Sequence, residues 1–81
     1  MSLEIASNVR KTVGAKQTLK AMKRNEVTCL YIAKDSELQV VAPLIEFAEG
    51  AGIPTDKEYS MMELGLACHI KVKAAAVGLL K

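Results

Sequence analysis

The sequence predicts an α/β protein, a three-layer α/β/α sandwich around a small mixed central sheet. Segments with helical spacing of apolar residues alternate along the chain with short segments that are β-branched or fully apolar. The chain has 81 residues, so residues 1–81 are expected to form a single domain. Its residues are 51% hydrophobic and 25% charged, which is typical of a globular protein and excludes a disordered tail.

The first predicted elements are a helix, a short strand and a second helix. The apolar residues of "LEIASNVRK" fall near helical spacing and predict a helix over residues 2–11. The "TV" before Gly14 suggests a very short strand. A second helix is predicted over residues 15–24, and Asn25 with Glu26 is expected to stop it.

A strand and a third helix follow. The run "VTCLYIA", residues 27–33, is β-branched and apolar nearly throughout, which predicts a buried strand with helices on both faces. The segment "LQVVAPLIEFAEGAG", residues 38–52, predicts a helix. We expect Pro43 in its first turn, where a missing N–H costs nothing, and Gly50 and Gly52 at its end.

The last third of the chain alternates in the same way. "IPTDKEY" predicts a short strand, with Pro54 at a sheet edge or at the beginning of the strand. In "SMMELGLACH", Ser60 followed by Glu63 three residues later predicts a capping box at the start of a fourth helix. "IKVK" is expected to be an exposed turn. "AAAVGLL" is ambiguous by propensity, but its shortness and full hydrophobicity suit a central strand.

Charge, cysteines and apolar runs set limits on function. The net charge is only +2, so an argument for nucleic acid depends on where the charges lie. Cys29 and Cys68 belong to no CxxC pair, and two buried free thiols are expected, with one disulfide as the alternative. The N-terminus has no apolar run of signal length, and the longest run, residues 74–80, is far short of the roughly 20 residues that span a bilayer. We therefore expect a cytoplasmic protein with no membrane partner.

The predicted helix over residues 15–24 is amphipathic. At about 100° per residue its polar side chains fall within an arc of roughly 120°. This arc holds no acid and consists of Lys16, Gln17, Lys20, Lys23 and Arg24. Ala15, Leu19 and Met22 lie on the opposite side, where they are expected to pack against the sheet.

Positive charge at the start of this helix is unusual. A helix N-terminus carries about half a positive charge and several unpaired N–H groups, and natural helices usually place an acid there. Here the first turn holds Lys16, and Gly14 just before it would let a ligand approach the backbone. An anion such as phosphate would relieve this field. A merely solvated lysine face is the alternative.

A second candidate site lies in "CHIKVKA". Ile70 and Val72 alternate there with Lys71 and Lys73. Two aliphatic side chains flanked by lysines form a suitable platform for an unstacked base, with phosphate contacts beside it. A half-buried strand shows the same alternation and is the alternative.

Three segments resemble the kink-turn RNA-binding family of the large-subunit ribosomal protein L7Ae, and most of all its short bacterial members. "GAKQTLK" resembles the family's helix-start signature and "LYIAKD" its central strand and acidic loop. "SMMELGLACHIKVKAAAV" is similar to its helix, recognition loop and final strand, so that the resemblance covers residues 8–80. It implies a compact α/β/α sandwich, without a cofactor, that clamps a kink-turn in RNA.

The resemblance also implies RNA-binding residues. Gly14 would let the backbone approach the RNA, Lys16 and Gln17 would contact the base edges of tandem sheared G·A pairs, and Lys20 would hold phosphates or base oxygens. The remaining implied contacts are those of Ile70, Lys71 and Val72 with the nucleotide flipped out of the bulge, and those of Lys34 with the RNA backbone. The sharp bend opens an A-form major groove that is otherwise too narrow for side chains.

Five positions depart from the family pattern. Many members carry Asn-Glu where this chain has Lys16 and Gln17, which leaves the hydrogen-bond scheme open. Leu66 stands where a lysine is frequent, and His69 stands where a glycine is frequent. Lys73 replaces a small residue or a proline and would add one phosphate contact.

The expected partner is an RNA that contains a kink-turn, supplied by ribosomal RNA, a riboswitch or another structured RNA. We expect a monomer, and association with the ribosome stays open. The alternative is a protein-interaction module without specific RNA recognition, because the predicted helix at 38–50 is apolar on much of its surface and Met61 and Met62 offer an adaptable face.

An enzyme is disfavoured. Cys68 and His69 are adjacent, but adjacency in sequence rarely makes a working pair of nucleophile and base. The acidic residues form no metal-spaced set with the single histidine, and no GxGxxG motif is present.

Overall fold

The computed structural model describes residues 9–81. In chain order the elements are β1 (Lys11–Val13), α1 (Ala15–Lys23), β2 (Val27–Ile32), α2 (Leu38–Ala51), β3 (Thr55–Asp56), α3 (Met61–Ala67) and β4 (Ala76–Leu80). The helix predicted over residues 2–11 lies mostly outside the described residues. Its predicted end is wrong, because Val9 and Arg10 are not helical and Lys11 pairs in the strand that precedes Gly14.

The described strands form one mixed sheet in the order β1-β4-β2-β3. β4 pairs antiparallel with both β1 and β2, whereas β3 runs parallel to β2. The ambiguous C-terminal segment is therefore a central strand. β3 is shorter than predicted and lies at the edge, as Pro54 indicated, and the Pro54 carbonyl accepts a 2.9 Å hydrogen bond from the Leu30 N–H.

Helices cover both faces of the sheet, which confirms the α/β/α sandwich. α1 and α2 pack over one face around Met22, Leu30 and Leu44. α3 covers the other face around Leu64 and Val77. The expectation that the whole of β2 is buried was too strong, since only three of its six side chains are buried, two are half-buried and one is exposed.

Pro43 lies inside α2 and not in its first turn, which corrects the prediction. The helix begins at Leu38, so Pro43 is one turn further in and lacks the N–H that would donate to the Gln39 carbonyl. Both residues are exposed, so water can satisfy that carbonyl. Gly50 lies within the helix, and Gly52, with a φ of 72°, ends it.

The position of α1 on the sheet depends on a glycine in β4. Thr18 of α1 is completely buried, and its hydroxyl lies 3.0 Å from the hydroxyl of Thr12 in β1. A Cβ on Gly78 would lie 2.9 Å from Thr12 Oγ1 and 3.0 Å from Thr18 Cγ2. The absence of a side chain at Gly78 therefore lets α1 approach the sheet closely at Thr18.

Candidate nucleic-acid interface

The start of α1 is open and carries no acid. Gly14 has a φ of 98° and a ψ of 148°, which disfavours any residue with a side chain, and its N–H donates to the Ala76 carbonyl over 2.8 Å. No atom lies within 4 Å of the place where a Cβ would be. No side chain caps the helix, and the first intrahelical bond runs from the Thr18 N–H to the Gly14 carbonyl. The N–H groups of the first turn are therefore available to an anion.

The amphipathic prediction for α1 is confirmed. The five polar residues of its basic face are all exposed, namely Lys16, Gln17, Lys20, Lys23 and Arg24. On the other side Met22 is buried, and Ala15 and Leu19 are half-buried against the same core. The stop at Asn25 is also confirmed, because this residue has a φ of 59° and the next N–H, that of Glu26, donates back into the helix.

The segment from Ile70 to Lys73, called loop 70–73 below, lies along α3 and is held at both ends. His69 has a φ of 60° where a glycine is usual, and the Ile70 N–H donates to the Gly65 carbonyl over 3.1 Å, which makes a Schellman-type helix end. At the far end, the Ala74 N–H donates to the Met61 carbonyl over 3.1 Å. Hydrogen bonds to α3 therefore fix the backbone conformation of the loop in the free protein.

Gly65 allows the loop to lie this close. It is buried in α3, and a Cβ placed on it would lie 3.2 Å from the carbonyl carbon of Val72 and would overlap the carbonyl oxygen. Sequence reasoning missed this residue. The available signal was a glycine inside a predicted helix, which costs about 1 kcal/mol relative to alanine and so points to a packing reason.

The two aliphatic residues of loop 70–73 have different surroundings. Val72 is 68% exposed, with Lys71 and Lys73 exposed beside it. Ile70 is half-buried and packs against the core beneath α3. The alternative of a half-buried strand is wrong, because no strand forms over these residues. Val72 is thus the presented side chain, and Ile70 anchors the loop.

Lys34 is exposed just after β2. Hydrogen bonds connect Lys34 and the next residue to the start of α3. The Lys34 N–H donates to the Tyr59 carbonyl over 2.8 Å, and the neighbouring Asp35 carboxylate accepts a 2.8 Å bond from the Met61 N–H at the start of α3. Ser60 and Glu63 form the predicted capping box there, with bonds of 3.1 Å and 2.9 Å. The Ser60 N–H that donates to the Glu63 carboxylate lowers the pKa of this carboxyl, and the Ser60 hydroxyl lowers it further.

The sheet brings the predicted site residues to one end. β4 runs antiparallel between β1 and β2, so its first residues lie beside the last residues of both neighbours, with Val13 opposite Val77 and Ile32 opposite Ala76. One end of the sheet therefore holds three segments: the start of α1, which follows β1; Lys34, which follows β2; and the segment after loop 70–73, which leads into β4. Backbone hydrogen bonds join them there, since the Ala33 N–H donates to the Ala75 carbonyl over 2.9 Å.

Both cysteines of the chain are free thiols. Burial raises the pKa of the Cys68 thiol, despite an opposing effect of Lys11, so this buried thiol stays protonated. Cys29 is also free but only half-buried, which partly corrects the expectation of two buried thiols. Within residues 9–81, no cluster of three His, Cys, Asp or Glu side chains could hold a metal ion. No helix in that range is long and apolar enough to cross a membrane.

Comparison with known proteins identifies related sequences over nearly the whole chain. The model of the ribosomal protein L7Ae/L30e/S12e/Gadd45 family matches residues 4–81. The chain is 41% identical over 69 residues to RNA-binding protein YbxF of Geobacillus stearothermophilus, covering 85% of this chain and 84% of that protein. It is 38% identical over 82 residues to an RNA-binding protein of Geobacillus sp. strain WCH70, and this match covers both chains completely.

Solved structures share the fold. The 15.5kD RNA binding protein of Giardia lamblia superimposes with a TM-score of 0.82 at 28% identity, over 88% of this chain and 60% of that one. A protein of unknown function from Bacillus halodurans superimposes with a TM-score of 0.80 over 88% of this chain and 71% of that one. At 20% identity, this second likeness shows the fold alone. The resemblance seen in the three sequence segments is confirmed.

Proposed function

The chain belongs to the ribosomal protein L7Ae/L30e/S12e/Gadd45 family, and from this premise we propose that it is a non-enzymatic RNA-binding protein that recognises and stabilises a kink-turn. The observation that carries the proposal is the meeting of the start of α1, Lys34 and the segment that follows loop 70–73 at one end of the sheet. Relatives of the chain are named for RNA binding. A surface built from three segments that are distant in the chain suits a bent RNA better than a linear sequence of bases.

The start of α1 supplies the polar half of this surface. Its open N–H groups and the exposed Lys20 favour phosphate or base oxygens, and Gly14 leaves room for close approach. Lys16 and Gln17 would contact the base edges of the tandem G·A pairs, since the glutamine amide both donates and accepts. The helix would enter a major groove that the bend has widened.

Loop 70–73 supplies the apolar half. Val72 is presented to solvent, and half-buried Ile70 lines the same surface cleft. The nucleotide flipped out of the bulge would pack against these two side chains, with its phosphate near Lys71. Lys34 would add a contact with the RNA backbone.

The RNA would come from ribosomal RNA, a riboswitch or another structured RNA with a kink-turn. We propose that the chain binds it as a monomer in the cytoplasm, with or without the ribosome. Recognition of this kind is by shape and by G·A pairs, so the helical stems on either side can vary in sequence.

A titration onto fluorescently labelled RNA tests the proposal. One duplex carries a consensus kink-turn with a dye at each end, and its partner has the G·A pairs changed to Watson–Crick pairs. We expect tight binding and energy transfer only with the first duplex, with affinity falling by roughly 0.7–0.9 log units per neutralised phosphate for each log unit of salt. Equal, weak binding to both duplexes would overturn the proposal and favour the protein-interaction alternative.

Lys20→Ala tests the α1 part of the site. We expect a loss of about 1–3 kcal/mol in binding free energy if Lys20 reads a base, and a smaller salt slope if it holds a phosphate. Lys81→Ala is the matched control, because Lys81 is equally a surface lysine but follows β4 at the opposite end of the sheet. Unchanged affinity of Lys20→Ala would remove this residue from the interface.

A further inference from the structure

A cavity of about 360 Å³ opens between the end of β2 and the start of α2, and it is called the α2 cavity below. Its floor is aliphatic and is formed by Ile32 and Val41, which are each 3% exposed, and by half-buried Ile45. Leu38, at the start of α2, is 72% exposed and lines the outer part of the cavity. Small-molecule sites in proteins are typically concave, mostly apolar and about 300–1,000 Å³ in volume. The α2 cavity therefore has the size and the lining of a small-molecule site.

The sheet places this cavity at the carboxyl ends of two parallel strands. β2 and β3 pair with Tyr31 beside Asp56, so both strands end at the same edge of the sheet. In open α/β sheets, the crevice outside the carboxyl ends of the strands is where ligands bind. The turn from β2 into α2 is held by Ser36, whose hydroxyl and N–H both donate to the Ala33 carbonyl, over 2.7 Å and 3.2 Å. A ligand would therefore not have to order this turn, which removes one of the usual costs of binding.

Two exposed lysines stand at the opening. Lys34 follows β2 and Lys57 follows β3, and both line the cavity. Because neighbouring strands lie about 4.8 Å apart, the two side chains begin close together. Among the described residues that line the α2 cavity there is no Asp or Glu. The carboxylate of Asp35, next to Lys34, instead accepts a bond from the Met61 N–H of α3. The opening is therefore a positive rim above an aliphatic floor.

The surface around the opening limits the size of the occupant. Gln39 donates a 3.1 Å bond to Glu37, and both of these polar residues are exposed beside Leu38. The large apolar residues exposed on α2 are Leu38 and Val40. A stable protein interface needs roughly 800 Å² on each side, more than these two side chains and the cavity provide. A small molecule therefore matches this site better than a folded protein does.

The lining selects the chemical class of that molecule. A neutral apolar ligand would use the floor and not the lysines, whereas an inorganic anion would use the lysines and leave the floor in contact with water. A compact apolar group that carries one carboxylate, sulfonate or phosphate would use both. Burial of its apolar surface would supply most of the affinity, and the two ammonium groups would favour an anion over a neutral analogue.

We propose that the α2 cavity binds a small organic anion, with its apolar part on the aliphatic floor and its charged group between Lys34 and Lys57. Because Lys34 also belongs to the proposed RNA interface, the anion and the RNA compete for this side chain. This competition rests on the proposed function, whereas binding of the anion does not. The affinity for RNA would then depend on the concentration of the anion.

A pair of fluorescent dyes tests the anion site. Anilinonaphthalenesulfonate and N-phenylnaphthylamine share an aromatic apolar body, and only the first carries a sulfonate. Both fluoresce more strongly when they leave water for an apolar site, so titration of the folded protein gives their affinities. We expect Lys57→Gln to lower the affinity for the sulfonate dye by about two- to fivefold, the contribution of an exposed ion pair, and to leave that for the neutral dye unchanged.

Two further variants and an NMR titration locate the dyes. Leu38→Ala removes apolar surface from the cavity at an exposed helical position, so it should weaken binding of both dyes without unfolding the protein. Lys81→Gln is the matched control, because Lys81 is an exposed lysine at the opposite end of the sheet, and it should bind both dyes as the wild-type protein does. The sulfonate dye should shift the amide resonances of Ser36 and Lys57.

The competition is tested by adding RNA to the protein that holds the sulfonate dye. The kink-turn duplex should displace the dye, and its Watson–Crick partner at the same concentration should displace less. Lys57→Gln should bind the kink-turn as tightly as the wild-type protein does, because Lys57 is outside the proposed RNA interface.

Three results would overturn the inference. Equal affinity of wild-type protein and Lys57→Gln for the sulfonate dye, or unshifted resonances of Ser36 and Lys57, would mean that the cavity is no anion site. Independent binding of the dye and the kink-turn would refute the competition. Failure of the wild-type protein to prefer the kink-turn over its Watson–Crick partner would overturn the proposed function and with it the competition, whereas the dye titrations without RNA would still decide the anion site.

Discussion

Gly65→Ala shows most directly how loop 70–73 depends on α3. Gly65 lies inside the helix, and its Cα faces the backbone of Val72. Helix propensity alone would favour alanine by about 1 kcal/mol. The new methyl group, however, would lie 3.2 Å from the Val72 carbonyl carbon and would overlap the carbonyl oxygen. Both are backbone atoms, so no side-chain rotation can relieve the contact.

The magnitude follows from these opposing effects. Forcing an extra methyl group into a packed region costs about 1–3 kcal/mol. If the loop moves away, the 3.1 Å bond from the Ile70 N–H to the Gly65 carbonyl is weakened, which costs up to about 1 kcal/mol more. After the gain in propensity is subtracted, we expect the free energy of unfolding to fall by up to about 3 kcal/mol.

Two assays separate stability from binding. Urea denaturation gives the change in the free energy of unfolding, and the kink-turn titration gives the change in affinity. We expect Gly65→Ala to bind the RNA about tenfold more weakly, because the apolar half of the interface is displaced. Lys20→Ala should lower affinity by the same factor in either background, since α1 lies on the other face of the sheet.

Gly50→Ala is the matched control. Gly50 also lies inside a helix, but it is exposed and no atom lies within 4 Å of the position of its Cβ. Alanine there should stabilise the protein by about 1 kcal/mol and leave RNA affinity unchanged. Stability and affinity of Gly65→Ala equal to those of Gly50→Ala would refute the argument that the loop backbone is held against this glycine.

Two further predictions concern the capping box and the cysteines. Ser60→Ala should lower the free energy of unfolding by about 1 kcal/mol at neutral pH. The pKa of the Glu63 carboxyl is lowered in the folded protein first by the Ser60 backbone N–H, which alanine keeps, and second by the Ser60 hydroxyl, which alanine lacks. The hydroxyl's part is present above the unfolded pKa and is lost as the pH falls through the folded one, so the difference between the two proteins should shrink in acid without vanishing; a difference that grows as the pH falls in urea titrations would contradict this. In the native protein without reductant, a thiol reagent should modify half-buried Cys29 faster than Cys68, whose pKa is raised by burial, and equal rates would show that Cys68 is accessible.

Local sequence signals predicted most elements correctly, because each acts over one or two turns of chain. The capping box of Ser60 and Glu63, the stop at Asn25 and the edge position indicated by Pro54 are all present in the structure. A local signal was misleading where a residue's position within a longer helix had to be predicted. Pro43 was predicted in a first turn because proline prefers that position. In the structure α2 is helical on both sides of Pro43, because packing of its apolar face stabilises the whole helix.

The amino-acid sequence by itself determined the basic face of α1, the aliphatic and lysine pattern of loop 70–73 and the likeness to an RNA-binding family. Tertiary structure alone decided that these segments share one end of the sheet, since pairing of β4 between β1 and β2 joins residues far apart in the chain. It also decided that Ile70 anchors the loop while Val72 is presented, and that Gly65 holds them against α3. Periodicity describes one segment at a time, whereas contacts between segments depend on how the whole chain packs.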